Sequence, residues 1–171
     1  WAESKSGIGT QFYFEVALAY EADNNDRLAN ELIRQKEALE GKSILLNRRL
    51  LLAEDDLTNQ EIAKAVLGNA GMFVDVANNG QEAINALQQR QYDAVLMDIE
   101  MPILNGYQAT QQIRSDMRFD QMPIIGITAR ALPGEAEKAL STGMNSYITK
   151  PINQQKLFSK LTHLLKDHPV I

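Results

Sequence analysis

From residue 48 onward, short apolar runs alternate with amphipathic stretches, and this alternation restricts the possible fold more than any other feature. It is typical of βα repeats that build a parallel sheet covered by helices on both faces. The predicted strands are 50–53, 72–77, 94–97, 124–128 and 146–149. The predicted helices are 58–70, 79–90, 105–117, 133–142 and 153–167. The pattern therefore predicts an α/β fold, a flavodoxin-like (βα)5 doubly wound parallel sheet with strand order 2-1-3-4-5.

Two other patterns precede this domain. Residues 1–20 contain a glycine-rich turn followed by alternating apolar residues, which predicts a β-hairpin. Residues 21–47 are polar, with a few leucines near one helical face, and we predict a helical linker. A solvated, partly disordered connector is the alternative. We therefore divide the chain into a hairpin fragment at 1–20, a linker at 21–47 and a domain at 48–168.

Charge and composition limit the classes of molecule that this chain is expected to bind. The net charge is −5 with a pI of about 5.1, so the overall field favours neither nucleic acid nor an anionic membrane surface. There is no cysteine, which fits a reducing compartment, and no apolar run long enough to span a membrane. The start at Trp1 suggests a piece of a longer chain. We expect this piece to be cytoplasmic, without nucleic-acid or membrane contact.

Polar residues stand where four of the predicted strands end. Glu54 and Asp55 follow the first, and Asp98, Thr128 and Lys150 close the third, fourth and fifth. Right-handed crossovers bring these ends to one edge of the sheet, and the strand order makes the first and third strands neighbours. Three crowded carboxylates favour a hard cation such as Mg²⁺ or Mn²⁺. Each residue alone is common in loops, but their combination predicts a metal-assisted site.

Four motifs then carry a family resemblance. Leu51–Asp55, Met97–Pro102 with Gly106, Ile127–Ala129 and Tyr147–Pro151 resemble the motif set of response-regulator receiver domains in two-component signalling. Their order and spacing agree with that family over about residues 48–168.

The resemblance implies roles for individual residues. Asp98 is implied to be the phosphoacceptor, attacking a phosphohistidine donor in a Mg²⁺-dependent reaction. Lys150 and Thr128 are implied to contact the phosphoryl oxygens, and Tyr147 to be an aromatic switch. The Lys150–Pro151 peptide is expected to be cis. The face formed by helix 133–142 and the following strand is expected to report the change to partners.

The resemblance also implies metal ligands and tuning residues. Asp55 is expected to bind Mg²⁺ directly, Glu54 through water, and Glu100 through its main-chain carbonyl. Glu100 and Arg130 occupy positions that tune the lifetime of the phosphorylated state, and we hypothesise that they pair across the mouth of the site. Asp56 stands where many relatives have asparagine, and we expect it to cap helix 58–70.

The N-terminal segment carries a second resemblance. Residues 3–14 resemble the last two strands of the ATP-binding domain of sensor histidine kinases. This implies a hybrid sensor histidine kinase as the parent, an inner-membrane sensor. The main ATP-site motifs are missing here, so we expect this piece not to phosphorylate histidine itself. The implied partners are a histidine kinase domain, of the same or a partner chain, and a histidine phosphotransfer protein or domain.

One irregularity lies at the junction. Residues 39–46 also resemble the opening of a receiver domain, and the opening then repeats from Arg49. Either a stretch has been lost between 46 and 48, or residues 43–46 pack as additional linker; the sequence leaves both open.

Three other functions are alternatives to the hypothesis of a receiver domain. A flavodoxin-like nucleotide or flavin carrier needs a small-residue phosphate cradle after the first strand, where Glu54 and Asp55 would repel phosphate. An aspartyl-nucleophile phosphohydrolase resembles Asp-x-Asp at the nucleophile, and Asp98-Ile99-Glu100 departs from that pattern. An inactive pseudo-receiver scaffold is the third alternative, and the complete motif set argues against it.

Overall fold

The computed structural model describes residues 2–5, 9–12, 41, 43–129, 134–166 and 168. The chain divides into two compact units, residues 1–36 and 37–171. In the first unit, β1 (Ala2–Lys5) and β2 (Gly9–Phe12) pair antiparallel. The predicted hairpin is therefore present in these residues, whereas residues 13–20 of the predicted hairpin fragment and most of the predicted linker helix lie outside the described residues.

A five-stranded parallel sheet forms the centre of the second unit. Its strands are β3 (Arg49–Ala53), β4 (Phe73–Ala77), β5 (Ala94–Asp98), β6 (Ile124–Thr128) and β7 (Ser146–Thr149). Their spatial order is β4-β3-β5-β6-β7, which confirms the predicted order 2-1-3-4-5. The three inner strands are almost wholly buried, because helices cover both faces of the sheet.

In the described part of the second unit, four α-helices connect the strands and another follows β7. They are α1 (Leu57–Asn69), α2 (Gly80–Gln89), α3 (Gly106–Arg114), α4 (Glu135–Ser141) and α5 (Gln154–Leu165). The α1 and α5 helices pack on one face of the sheet, and α2, α3 and α4 pack on the other. The fold is thus doubly wound, as predicted. No helix among the described residues has the length and apolar character of a membrane-spanning segment.

Capping residues fix most helix ends close to the predicted positions. The Asp56 side chain accepts from the Asn59 amide, and Asn79 caps α2 in the same way. Gly143, with φ of +103°, follows the end of α4 directly after the predicted helix 133–142. The predicted helix 105–117 was too long. It ends at Arg114 because Asp116 caps a separate 3-10 turn at Met117–Phe119.

The junction before β3 packs as part of the second unit. Leu45 is buried with residues of α5, and the Arg48 guanidinium contacts the Asp93 carboxylate at 2.7 Å and the Leu165 carbonyl at 3.1 Å. Leu45 and Arg48 therefore belong to the packed second unit, and both alternatives for residues 43–46 stay predictions. The boundary at residue 48 stays a prediction.

The presence of glycine at position 126, inside β6, is explained by the neighbouring side chain of Met144. A β-carbon at this position would lie 2.6 Å from the sulfur of Met144, which is itself buried. A side chain at residue 126 would therefore require the Met144 side chain to move, which fits a glycine inside this strand. The sequence gives no sign of this contact because the two residues are distant along the chain.

Candidate active site

The predicted site residues meet at the carboxyl edge of the sheet. Glu54 follows β3, Asp98 ends β5, Thr128 ends β6 and Lys150 follows β7. Backbone hydrogen bonds continue past the strand ends: the Glu54 amide donates to Ala77 at 3.0 Å and the Lys150 amide donates to Thr128 at 2.7 Å. The sheet therefore fixes the backbone from which these side chains project.

Three carboxylates form a compact cluster at this edge. One oxygen each of Glu54, Asp55 and Asp98 lies within 4.8 Å of the others. Glu54 and Asp98 are buried, with 1% and 2% of their surface exposed, whereas Asp55 is exposed. Carboxylate oxygens are the ligands that hard divalent cations prefer. The donor set fits such an ion, and the exposed member leaves the cluster open to solvent on one side.

Lys150 bridges the two buried carboxylates. Its Nζ lies 2.6 Å from Asp98 Oδ2 and 2.8 Å from Glu54 Oε2. Burial alone would lower the pKa of Lys150, but the hydrogen bonds to Asp98 and Glu54 outweigh it and raise that pKa. One ammonium group thus offsets two buried negative charges.

Asp98 is held by opposing influences. Burial, together with the nearby charge of Glu54, raises the pKa of Asp98, while the bond to Lys150 opposes the rise. The main-chain amide of Glu100 donates to Asp98 Oδ1 at 3.2 Å, so each carboxylate oxygen has its own donor. The arrangement presents an oriented carboxylate at the centre of the cluster.

Gly106 supports Asp98 from the next element. Its amide donates to the Ile99 carbonyl at 3.1 Å, and a β-carbon on residue 106 would overlap the main-chain oxygen of Asp98. The start of α3 is thereby packed directly on the end of β5, with no room for a side chain between them.

Two polar residues of α1, absent from the predicted site, hold Glu54. Asn59 Nδ2 donates to Glu54 Oε1 at 3.0 Å, and Gln60 Nε2 donates to the Glu54 main-chain carbonyl at 2.7 Å. A sequence signal for Gln60 does exist. It shares the buried stripe of α1 with Ala63 and Leu67, and a glutamine on such a stripe needs polar partners.

The other predicted site residues are Thr128, Tyr147 and Arg130. Thr128 is buried at the end of β6, and Tyr147 is half-buried on β7 with the Lys160 ammonium 5.8 Å from its ring centroid. The cis peptide at Lys150–Pro151 is confirmed. Arg130 lies outside the described residues, so its pairing with the exposed Glu100 stays a prediction.

A tyrosine contact joins α3 to α4 beside the site. The Tyr107 hydroxyl donates to Glu135 Oε2 at 2.7 Å, and the Lys138 ammonium lies 4.3 Å from the Tyr107 ring centroid. Burial, and then the bond to Glu135, raise the pKa of Tyr107 to about 12. Burial and a hydrogen bond to Asp75 raise the pKa of Tyr92 to about 12 as well.

These two tyrosines should be visible in an alkaline titration. We expect tyrosinate absorbance to include a late phase near pH 12, which Tyr92→Phe and Tyr107→Phe each reduce. Because the folded-state pKa exceeds the ordinary value of 10.0, each group's contribution to stability is complete below pH 10 and is lost as the pH rises toward 12. An unchanged late phase in both variants would contradict the assignment.

Comparison with known proteins identifies the family. The model of the response regulator receiver domain matches residues 50–162. Two-component system protein A of Emericella nidulans is 40% identical over 168 residues, covering 94% of this chain and 24% of that protein. Sensor protein EvgS of Escherichia coli O157:H7 is 34% identical over 173 residues, covering 98% of this chain and 13% of that protein. The chain thus spans at most about a quarter of the length of these relatives.

Comparison with solved structures gives the same family. The receiver domain of sensor histidine kinase PA1611 from Pseudomonas aeruginosa PAO1, with a magnesium ion in its active site cleft, is 36% identical. It matches with a TM-score of 0.66, over 71% of this chain and 99% of that chain. A co-crystal structure of the Saccharomyces cerevisiae phosphotransfer protein Ypd1 with the receiver domain of Ssk1 matches with a TM-score of 0.68 and 29% identity, over 74% of this chain and 94% of that chain. From its motifs, its sheet topology and these matches, the chain belongs to the response regulator receiver domain family.

Proposed function

We propose that this chain is the phosphoryl-accepting module of a two-component phosphorelay, with Asp98 as the acceptor. The observation that carries the proposal is the placement of the Asp98 carboxylate, which is buried, oriented by the Glu100 amide and 2.6 Å from the Lys150 ammonium. A carboxylate in this setting is a nucleophile with a positive group already beside the position where a phosphoryl oxygen would lie.

The three carboxylates and the Glu100 carbonyl are the groups we propose to hold Mg²⁺, with Mn²⁺ as a substitute. Asp55 would bind directly, and Glu54 through a water molecule. The bound ion supplies positive charge that neutralises the phosphoryl and acceptor oxygens. The proposal is supported by the cluster of carboxylate oxygens and by the magnesium ion in the related PA1611 domain.

The chain's own residues account for the transfer as follows. A bond forms between a carboxylate oxygen of Asp98 and phosphorus, and the bond from phosphorus to the donor imidazole breaks, its electron pair remaining on that nitrogen. The Lys150 ammonium then pairs with a phosphoryl oxygen. Thr128 donates its hydroxyl to another, and Tyr147 packs behind it. The new charge biases the surface at α4 and β7 between two arrangements.

The proposed donor and recipient are phosphohistidine proteins: a histidine kinase domain, of the same or another chain, and a histidine phosphotransfer protein. The complex of Ypd1 with the Ssk1 receiver supports this class of partner. Two large apolar side chains that are close in sequence to the site residues are exposed: Leu57 at the start of α1 and Ile103 between Asp98 and Gly106. They are suited to contact a partner that reaches Asp98.

We also propose the setting of the chain within a longer protein. Residues 1–20 would be the end of a kinase ATP-binding domain, 21–47 a linker and 48–168 the receiver. The parent would be a hybrid sensor histidine kinase in the inner membrane, with this part in the cytoplasm. The matches to Two-component system protein A and EvgS over nearly the whole chain support its placement within a longer two-component protein.

Incubation with a small acyl phosphate and Mg²⁺ tests the proposal. We expect intact-mass analysis to show one phosphoryl group per chain. This labelling should be absent when the metal is chelated before the acyl phosphate is added. A generic phosphate ester should not be hydrolysed over many turnovers, and many turnovers would support the phosphohydrolase alternative. Failure of any labelling would favour the inactive scaffold.

A further inference from the structure

Two adjacent side chains of α1 hold Glu54 at both of its ends. Asn59 Nδ2 donates to the side-chain oxygen Oε1 at 3.0 Å, and Gln60 Nε2 donates to the main-chain carbonyl at 2.7 Å. The Asp56 amide adds a longer bond, 3.4 Å, to the same Oε1. Both the side chain and the main chain of Glu54 are thus fixed by hydrogen bonds from α1.

The hydrogen bond from Asn59 helps to orient the Glu54 carboxylate. Glu54 lies beside Asp98, and two buried carboxylates repel each other. Lys150 lies between 2.8 and 3.0 Å from both oxygens of Glu54, but it is shared with Asp98 and would be drawn toward a phosphoryl group. Among the described residues, the Asn59 side-chain amide donates to Glu54 and not to Asp98, so it can keep the carboxylate oriented when Lys150 is engaged elsewhere.

The bond from Gln60 continues into the neighbouring loop. Gln60 is 6% exposed, and its Nε2 also donates to Asn78 Oδ1 at 3.0 Å. Asn78 in turn donates from its amide and from Nδ2 to the Glu82 carboxylate of α2, both at 2.8 Å. The backbone of Glu54 is therefore tied to two helices through one glutamine.

We propose that Asn59 and Gln60 are positioning residues that orient Glu54 for holding a divalent cation at the carboxylate cluster. This rests on the proposed metal site and assigns it two supporting side chains in addition to the ligands. Partners of metal ligands commonly change metal affinity about 10–100-fold when removed, because they fix the direction of the ligand atoms.

Calorimetric titration of the whole chain with Mn²⁺ decides the matter, because it measures affinity independently of phosphoryl transfer. Asn59→Ala should weaken binding about 10-fold, with only a small fall in the thermal unfolding midpoint because Lys150 still donates to both oxygens of Glu54. Asn69→Ala is the matched control, since Asn69 is an exposed asparagine at the other end of the same helix. It should bind Mn²⁺ as wild type does.

Gln60→Met provides a second variant. It keeps the length of the side chain and removes the donors to Glu54 and Asn78, so we expect weaker Mn²⁺ binding together with a lower unfolding midpoint. Equal affinity of wild type, Asn69→Ala and Asn59→Ala would overturn the positioning role alone. Absence of Mn²⁺ binding in wild type would overturn the proposed metal site and this inference with it.

Discussion

Lys150→Met is expected to lower the free energy of unfolding by about 3 kcal/mol at neutral pH in metal-free buffer. The two carboxylates that Lys150 bridges, Glu54 and Asp98, are each at most 2% exposed. Methionine keeps the apolar length of the side chain but leaves these charges without their ammonium partner. We place the loss at the low end for a buried pair because 23% of the Lys150 side chain is exposed. Urea denaturation measures it.

The loss should depend on pH in a defined direction. In wild type the pKa of Asp98 is already raised above 3.8 by burial and by Glu54, against the opposing effect of Lys150. Without Lys150 the folded state holds the Asp98 proton still more strongly. A raised pKa gives stability that is present at low pH and lost as the pH rises. The defect of Lys150→Met should therefore be largest at neutral pH and shrink as the pH falls toward 3.8.

Two comparisons sharpen this test. Lys64 pairs with Glu61 on the exposed surface of α1, so Lys64→Met should cost less than about 1 kcal/mol. Added Mg²⁺ should restore part of the stability of Lys150→Met, because a second source of positive charge can occupy the carboxylate cluster. If the Lys64 and Lys150 variants unfold at the same urea concentration, the bridging role of Lys150 is wrong.

The second large effect is expected for Gly106→Ala. The added methyl group would overlap the main-chain oxygen of Asp98 and come within 3.0 Å of the Ile99 α-carbon. These are backbone atoms at the end of a buried strand, so they cannot yield as a flexible side chain would. We expect a loss of about 3 kcal/mol, at the upper end for overpacking, and slower phosphoryl uptake because Asp98 must shift.

Gly68→Ala is the matched control for that substitution. Gly68 lies in α1, and a β-carbon there would meet nothing within 4 Å. Alanine in such a helical position should raise stability by about 0.5–1 kcal/mol. The two glycine substitutions should thus change the thermal midpoint in opposite directions, and a shift of equal sign and size would refute the packing argument.

Much of the fold could be predicted because local patterns determine it. The apolar runs of β5 and β6 are almost continuous, which indicated buried parallel strands, and Asp56 and Asn79 marked helix starts through their capping side chains. The end of α3 was predicted too late because the 3-10 turn capped by Asp116 continues a helix-like pattern. Local capping there overrides a periodicity that spans both segments.

The site was predicted in part. Strand order alone brings Glu54, Asp55 and Asp98 together, and the structure confirms that they form one cluster. The shared position of Lys150 between two carboxylates could not be predicted, because it depends on the direction of a side chain 52 residues from Asp98 along the chain. The contact of Asn59 with Glu54 was missed for a different reason: an asparagine near a helix start is usually a cap or a solvated residue.

The most direct test of the central claim compares phosphoryl uptake by wild type, Asp98→Asn and Asp120→Asn, each incubated with a small acyl phosphate and Mg²⁺. Asparagine keeps the shape of the side chain and removes the nucleophilic carboxylate, and Asp120 is an exposed aspartate outside the cluster. The account predicts about one phosphoryl group per chain for wild type and Asp120→Asn, and none for Asp98→Asn. Equal labelling of all three proteins would contradict it.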